Sequence, residues 1–285
     1  MGSSDRPTRS QQFSPAQRQF HKKRRFAGKP VVMERIDPGR VDIHFHILPD
    51  VDDGPATIED SLELARLAVR DGTRTVVATP HIRPEFISDP LEVPERVDAL
   101  QEELRRAGIP ITVVPGGELD TVMVGSLSHR ALDAIAVGPR GARWLLLEAP
   151  FDGLAGLQPA AAELRARGFG VVIAHPERSA GVLAGGCKIL REQLALGCLA
   201  QVSTSSLSGA HGHEAQISAR HLVSQRLAHA LASDAHSPRR APELGAGMDT
   251  LLAAGETFAT ARRLAEINPR ELVVAGIGRR LAAAA

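Results

Sequence analysis

The sequence is poor in cysteine, aromatic residues and long apolar runs. Its two cysteines, Cys187 and Cys198, are too few for a disulfide framework and lie in no CxxC or other metal-finger spacing. Aromatic residues make up 3% of the chain and tyrosine is absent, so nothing indicates a stacking platform for nucleic acid. No apolar run approaches the roughly 18 residues of a membrane span, and the N-terminus lacks the apolar core of a signal peptide. We therefore expect a cytoplasmic protein with no membrane span and no nucleic-acid partner.

Positive charge is concentrated at the N-terminus. Residues 1–40 carry ten Lys and Arg against three Asp and Glu, whereas the rest of the chain carries 24 against 30. Because this basic segment has no periodic apolar pattern, we predict a disordered extension over residues 1–40 and one domain over residues 41–285. A solvated tail is the first interpretation, and contact with an acidic partner or a membrane surface is the alternative.

Beyond residue 40, short apolar runs alternate with longer segments of helical period, a pattern typical of parallel βα units. The predicted strands are 41–44, 75–78, 111–114, 144–147, 171–174, 199–202 and 230–232. The predicted helices are 57–69, 93–107, 157–167, 189–196, 214–227 and 242–254. Seven such strands favour an α/β fold, a distorted TIM-like (β/α)7 barrel. A doubly wound open sheet is the alternative, because a strand count does not show closure.

Residues of metal-ligand type follow these apolar runs at equivalent positions. Five of the eleven histidines and four carboxylates do so: His44, His46, His81, His175, His236, Asp53, Glu118, Glu148 and Asp234. In a parallel barrel these positions are the C-terminal ends of the strands, the face on which such folds gather their active sites. We therefore expect these side chains to meet in one pocket.

The chemistry of this set indicates bound metal. His44 and His46 are two residues apart on a strand, so both side chains point to the same face, and Asp234 and His236 repeat the spacing. One HxH pair alone is weak evidence, because histidine serves many roles. Several clustered carboxylates, however, would repel one another unless cations neutralised them. Histidine and carboxylate ligands without thiolate suit Mn, Fe or Zn.

The ordered motifs also resemble a known family. The segment HFHILPDVDDGPATIEDSLELARLAVRDGTRTVVATPH is followed by VVPGGE, LLLEAPFD, VIAHPER and LASDAH. This series is similar to the polymerase and histidinol phosphatase (PHP) superfamily, and more closely to the bacterial CpsB/YwqE-type protein-tyrosine phosphatases of capsule and exopolysaccharide systems. The resemblance implies a PHP-type barrel that binds three divalent metal ions, with manganese expected and iron or zinc as alternatives.

The resemblance further implies which residues bind each ion. His44, His46, Glu118 and Asp234 would bind the first, Glu118, Glu148 and His175 the second, and Asp53, His81 and His236 the third. Asp52, the first aspartate of the DDG motif, is interpreted as a loop residue that braces its neighbour.

Two arginines would bind phosphate by the same resemblance. Arg178 matches the phosphate-gripping arginine of the family, and a planar guanidinium can hold two phosphate oxygens at once. The second arginine follows the SDAH motif in a loop that is one residue shorter here. Arg240 is the best match, with Arg239 as its competitor.

The implied activity is metal-dependent hydrolysis of protein phosphotyrosine, with a bacterial tyrosine kinase of the capsule or exopolysaccharide system as partner. A cysteine-dependent mechanism is excluded, because Gln193 and Thr204 stand where the phosphate-loop arginine would follow each cysteine. Two alternatives stay open: a PHP phosphoesterase acting on histidinol phosphate or another small ester, and a non-catalytic, metal-stabilised scaffold that binds a kinase. His211 and His213 also form an HxH pair, but they follow no ligand-bearing strand and are assigned no metal.

Overall fold

Short parallel strands form the centre of the fold in a computed structural model that describes residues 38–277. Their bounds are β1 (Arg40–Phe45), β2 (Thr73–Ala78), β3 (His81–Ile82), β4 (Thr112–Pro115), β5 (Glu118–Leu119), β6 (Trp144–Glu148), β7 (Gly170–Ala174), β8 (Leu199–Ser203) and β9 (Ala230–Ala232). The hydrogen-bonded orders are β1-β2-β4 and β3-β5-β6-β7-β8-β9. Because β3 follows β2 after two residues and β5 follows β4 likewise, each pair fills one position in a ring of seven.

The ring closes between its first and last strands. The backbone N–H of Asp234 donates to the carbonyl oxygen of His44 at 3.0 Å, and that of His46 donates to the carbonyl oxygen of Ala235 at 2.9 Å. Phe45 and Ala235 also form a parallel bridge. The predicted seven-position (β/α) barrel is therefore confirmed. The alternative, a doubly wound open sheet, would lack these contacts between the first and last strands. All seven predicted strands are present.

Two consecutive glycines interrupt the third barrel position between β4 and β5. A Cβ atom on Gly116 would clash with the side chain of Val77, and one on Gly117 would clash with Ile82. Only residues without a side chain let this strand bend so closely against its neighbour. The bend carries Glu118, the first residue of β5, to the end of the barrel.

Helices connect the strands. Their bounds are α1 (Ile58–Arg70), α2 (Val93–Arg106), α3 (His129–Ile135), α4 (Leu157–Ala166), α5 (Lys188–Ala195), α6 (Thr204–Ser208), α7 (His213–Ser224), α8 (Leu244–Ala253), α9 (Phe258–Arg262) and α10 (Asn268–Val274). The six predicted helices correspond to α1, α2, α4, α5, α7 and α8, with ends displaced by at most three residues. The capping box formed by Thr57 and Asp60 is present at the start of α1.

Apolar side chains from the barrel strands and from the helices around them form one core. Leu64, Ala65 and Ala68 of α1 are fully buried, as their helical spacing requires. Trp144 is buried at the start of β6, and its indole N–H donates to the carbonyl oxygen of Leu272 at 2.8 Å, which attaches α10 to the barrel. No helix within residues 38–277 is long and apolar enough to cross a membrane.

The basic extension predicted for residues 1–40 lies outside the described residues except for residues 38–40. β1 begins at Arg40, one residue before the predicted start of the domain.

Candidate metal centre

The nine predicted metal-ligand residues lie together at the C-terminal ends of the barrel strands. They form four overlapping groups, within each of which the possible ligand atoms are no more than 4.8 Å apart. The groups are His46, Asp53, His81 and His236; His44, His46 and Asp234; His44, Glu118 and His175; and His81, Glu118 and Glu148. Side chains distant in sequence thus converge on one site.

Glu118 lies at the centre of these groups and is 1% exposed. Its Oε2 is 3.4 Å from Nε2 of both His44 and His46, and 3.0 Å from Nδ1 of His81. Its Oε1 is 2.8 Å from Nε2 of His175. The two oxygens of this carboxylate therefore face different groups, which is the arrangement of a bridging ligand.

His44 on β1 and His46 directly after it, together the β1 histidines, turn their Nε2 atoms towards each other. The Nδ1–H of His44 donates to the side-chain oxygen of Gln201 at 3.1 Å, and that of His46 donates to Asp52 at 2.8 Å. These hydrogen bonds use the Nδ1 atoms and direct the two Nε2 atoms, 3.2 Å apart, into the site, where each can offer a lone pair to a metal ion once deprotonated. Two such lone pairs repel unless a cation or a proton lies between them, so the residues present fit a metal ion.

A more exposed part of the site surrounds Asp53, whose side chain is 48% exposed. Its Oδ1 lies 3.2 Å from Nε2 of His236 and 3.4 Å from Nε2 of His81. The Nδ1–H of His236 donates to the carbonyl oxygen of Asp234 at 2.8 Å, which directs Nε2 towards Asp53. This group therefore borders the solvent, whereas the groups around Glu118 lie deeper.

Two ligand-type residues have strained backbones. His175 has φ 31° and Asp234 has φ 54°, both in the left-handed region that residues with side chains rarely adopt. Such strain costs on the order of 1–3 kcal/mol and is concentrated at functional sites. Here it places each side chain among the convergent ligands directly after its strand.

Burial and the neighbouring charges together set the pKa values of the side chains in this site. Burial alone would lower the pKa of His46, but the Asp52 carboxylate raises the pKa to about 9. Carboxylates likewise overcome burial at His81, whose pKa rises to about 10. The pKa of Glu118 is held well below its ordinary value by the histidines around it, whereas burial and the Glu118 charge raise the pKa of Glu148. Because a histidine must be deprotonated to bind a metal ion, protons and metal ions would compete for these side chains.

Both arginines of the favoured assignment reach the site. Arg178 and Arg240 each place a guanidinium nitrogen 3.0 Å from Oδ2 of Asp234. Arg240 also lies 3.5 Å from Asp53. Arg239 is exposed and has no hydrogen bond or ion pair with any residue in the 38–277 range. The geometry thus favours Arg240 over Arg239.

Several residues that support the site were not predicted. Gln201 fixes the tautomer of His44, and Arg83 forms an ion pair with Glu148. Asp42 is fully buried, accepts the backbone N–H groups of His44 and Ser233, and has its pKa raised to about 6 by burial. Asp42 and Gln201 are each a polar residue between two apolar residues of a strand. That pattern could have identified both as residues that support the site.

The second HxH pair is separate from the clusters. Nδ1 of His211 lies 3.0 Å from the hydroxyl of Ser206, and His213 is exposed at the start of α7. Neither belongs to a possible metal-binding group among the described residues.

Comparison with known proteins agrees with the motifs and the site. The family described as capsular polysaccharide synthesis, CpsB/CapC, matches residues 40–274. The chain belongs to the CpsB/CapC family. It is 35% identical over 203 residues to the tyrosine-protein phosphatase YwqE of Bacillus subtilis, covering 69% of this chain and 77% of that protein. It is 27% identical over 244 residues to the tyrosine-protein phosphatase CpsB of Streptococcus pneumoniae, covering 82% and 98%. The family resemblance of the sequence is thereby confirmed.

Solved structures support the CpsB/CapC fold. One, from a study describing YwqE of Bacillus subtilis and CpsB of Streptococcus pneumoniae as metal-dependent tyrosine phosphatases, is 31% identical with a TM-score of 0.71. It covers 82% of this chain and 93% of its own. The phosphotriesterase homology protein of Escherichia coli is 14% identical with a TM-score of 0.56, covering 83% of this chain and 99% of its own, and shares the fold alone.

Proposed function

We propose that this CpsB/CapC family member is a metal-dependent protein-tyrosine phosphatase that hydrolyses phosphotyrosine in proteins. The observation that carries the proposal is that Arg178 and Arg240 converge on Asp234, a member of the buried ligand cluster. Phosphate-binding cations thus adjoin a polynuclear ligand set, which is the combination that phosphoester hydrolysis needs. The names of the relatives supply the tyrosine specificity.

The ligand set fits three divalent ions. Imidazole and carboxylate ligands without thiolate suit manganese, iron or zinc, and we put manganese first because the family resemblance implies it. The proposed ligands are those that the resemblance implies: His44, His46, Glu118 and Asp234; Glu118, Glu148 and His175; and Asp53, His81 and His236. The four groups in the structure divide these residues differently, because Glu148 groups with His81 and Glu118, and His175 groups with His44 and Glu118. When bound, such ions supply Lewis acidity and lower the pKa of water.

The protein side chains would position the substrate. Arg178 and Arg240 would exchange their contact with Asp234 for phosphate oxygens, each offering two parallel donors. Asp52 and Gln201 would keep the β1 histidines in the tautomer that faces the site. The phenolate released from phosphotyrosine has a parent pKa of about 10, so it needs less protonation than a serine alkoxide.

We further propose that the substrate is a phosphorylated bacterial tyrosine kinase that controls capsule or exopolysaccharide synthesis. The family description and the names of the relatives support this partner. A cytoplasmic location and contact of the basic N-terminal segment with an acidic partner or a membrane surface stay predictions.

The test is phosphate release from a phosphotyrosine peptide, measured beside a phosphoserine peptide and histidinol phosphate. The full chain is assayed with Mn²⁺ and with excess chelator. His44→Ala removes a buried side chain of the ligand cluster, and His221→Ala, on α7 and outside the clusters, serves as its matched control.

We expect metal-dependent release that prefers phosphotyrosine, is lost in His44→Ala and is retained in His221→Ala. Preference for histidinol phosphate would reassign the substrate. Metal binding without turnover of any ester would refute the enzyme and favour the kinase-binding scaffold.

A further inference from the structure

A groove of about 660 Å³ begins at Arg178 and runs beside the metal centre. Phe151 lies on one side, the segment after Arg178 provides Val182, and α7 provides Glu214 and Ile217. The volume lies within the roughly 300–1,000 Å³ typical of ligand pockets. The groove is therefore large enough for more than a phosphate group.

Phe151 stands at the junction between the groove and the phosphate-binding arginine. It is 48% exposed, its ring lies nearly parallel to that of His175 with centroids 5.8 Å apart, and the Arg178 guanidinium is 4.7 Å from its centroid. Its carbonyl oxygen accepts the N–H of Ala180 at 2.8 Å, which joins its loop to the segment after Arg178. The ring is thus held in place while one surface stays open to solvent.

Exposed aromatic rings are scarce in this chain. Five of the eight phenylalanines lie within residues 38–277, and Phe45 and Phe169 among them are buried. Of the three exposed ones, Phe151 contacts His175 and Phe86 contacts His81, whereas Phe258 lies on α9. Among the described residues, Phe151 and Phe86 are thus the exposed phenylalanine rings that lie against residues of the ligand clusters, and Phe151 alone of the two also contacts Arg178.

From these contacts we infer that Phe151 is the platform for the aromatic ring of the substrate, and that the groove holds the polypeptide flanking the phosphotyrosine. This inference rests on the proposed function. In an aryl phosphate a single ester oxygen separates phosphorus from the ring. The side chain that binds the phosphate group and the side chain that contacts the aromatic ring must therefore be neighbours. Arg178 and Phe151 meet this condition, and stacked rings have centroids about 4.5–7 Å apart.

The far part of the groove has the chemistry of a peptide site. Ile217 is 48% exposed on α7, and Val182, which is buried, lines the same groove. Glu214, in the first turn of α7, adds one negative charge. We therefore expect an apolar residue next to the phosphotyrosine to bind along Ile217 and Val182, whereas a free aryl phosphate leaves this part empty.

The first experiment measures binding without turnover. Phenylphosphonate and methylphosphonate are titrated calorimetrically into the Mn²⁺-loaded full chain, its Phe151→Leu variant, and the variants Phe258→Leu and Phe86→Leu. Leucine keeps an apolar side chain but removes the aromatic face. We expect Phe151→Leu to reduce the preference for phenylphosphonate over methylphosphonate about three- to tenfold, and Phe258→Leu to preserve the preference.

Equal loss of affinity for both phosphonates would mean that Phe151 only positions Arg178, and would overturn the platform. A loss of preference in Phe86→Leu rather than Phe151→Leu would overturn it as well. Failure of the proposed function is distinct from either result, since it appears as absence of ester turnover, whereas the titrations need none.

The peptide part of the inference is tested by kinetics. Ile217→Asp is expected to raise KM for a phosphotyrosyl peptide with an apolar neighbour about fivefold more than KM for phenyl phosphate. Equal changes in the two KM values would show that the flanking chain does not occupy the groove. Circular dichroism confirms that the variant is folded.

Discussion

Asp52 offers a sharp test of the metal centre, because it lies outside the ligand clusters of the described residues and contacts them through His46 and His81. Its carboxylate accepts three hydrogen bonds: Nδ1–H of His46 at 2.8 Å, the backbone N–H of Gly54 at 2.9 Å and that of His81 at 3.0 Å. Burial opposes the charge on Asp52, but His46 and these donors keep its pKa below the ordinary value. Asparagine has the same shape as aspartate but carries no charge. Its NH₂ group would face an N–H group that now donates to the Asp52 carboxylate.

The expected loss of metal affinity follows from the role of the hydrogen bond between Asp52 and His46. Removing a partner that orients a metal-binding histidine typically costs tenfold to a hundredfold in metal affinity, which corresponds to about 1.4–2.7 kcal/mol. We therefore expect Asp52→Asn to weaken Mn²⁺ binding by this factor. The assay is titration of the chelator-treated full chain with Mn²⁺, following free Mn²⁺ by electron paramagnetic resonance.

Asp50→Asn is the matched control. Asp50 lies in the same loop and is exposed, and its φ of 56° is well tolerated by asparagine. Circular dichroism separates a loss of affinity from a loss of fold. If Asp52→Asn bound Mn²⁺ within twofold of Asp50→Asn, the argument that Asp52 orients His46 towards a metal would be refuted.

Three other variants test the site and the fold. Arg240→Ala should raise KM for a phosphotyrosine peptide about tenfold to a hundredfold, as expected for lost hydrogen bonds to a charged group, whereas Arg239→Ala should change it less than twofold; equal effects would contradict the assignment of Arg240. Burial lowers the pKa of His229 to about 4, so the unfolded state, with a pKa near 6.5, takes up the proton first. Its contribution to stability is intact above pH 6.5 and lost as pH falls towards 4, by up to about 3 kcal/mol. Urea unfolding at several pH values should show a flatter profile in His229→Asn, and parallel profiles would contradict this. Gly276→Ala would drive a Cβ into a backbone carbonyl at φ 70°, whereas the position of Gly255, at φ 93°, has open space; thermal unfolding should show a lower Tm for Gly276→Ala than for Gly255→Ala.

The sequence predicted the strands and the clustered residues for one physical reason. In a parallel barrel the C-terminal ends of all strands meet at one face, so a ligand-type residue after each apolar run must lie near the others. His46, Glu148 and His175 illustrate this, since each lies at or directly after the last residue of a strand in the barrel.

The missed features depend on interactions that no local pattern encodes. Helices α3, α6, α9 and α10 contain only five to seven residues, too few for a helical period to stand out. Gln201 contacts His44 across 157 positions of sequence, and its amide is not a typical metal ligand. Phe151 follows the LLLEAP motif, but only the folded chain shows that its ring lies beside Arg178.

Closure of the barrel between β1 and β9 has a consequence for biosynthesis. His44 leaves the ribosome about 190 residues before Asp234, and Asp42 joins the two strands through Ser233 across 191 positions. Contacts so distant in sequence form late in folding. A nascent chain that ends before β9 therefore carries the β1 histidines without their partners from the last strand. Synthesis of the chain through β9 and the residues after it should therefore precede assembly of the complete ligand set, so binding at the full site depends on the strand that closes the barrel.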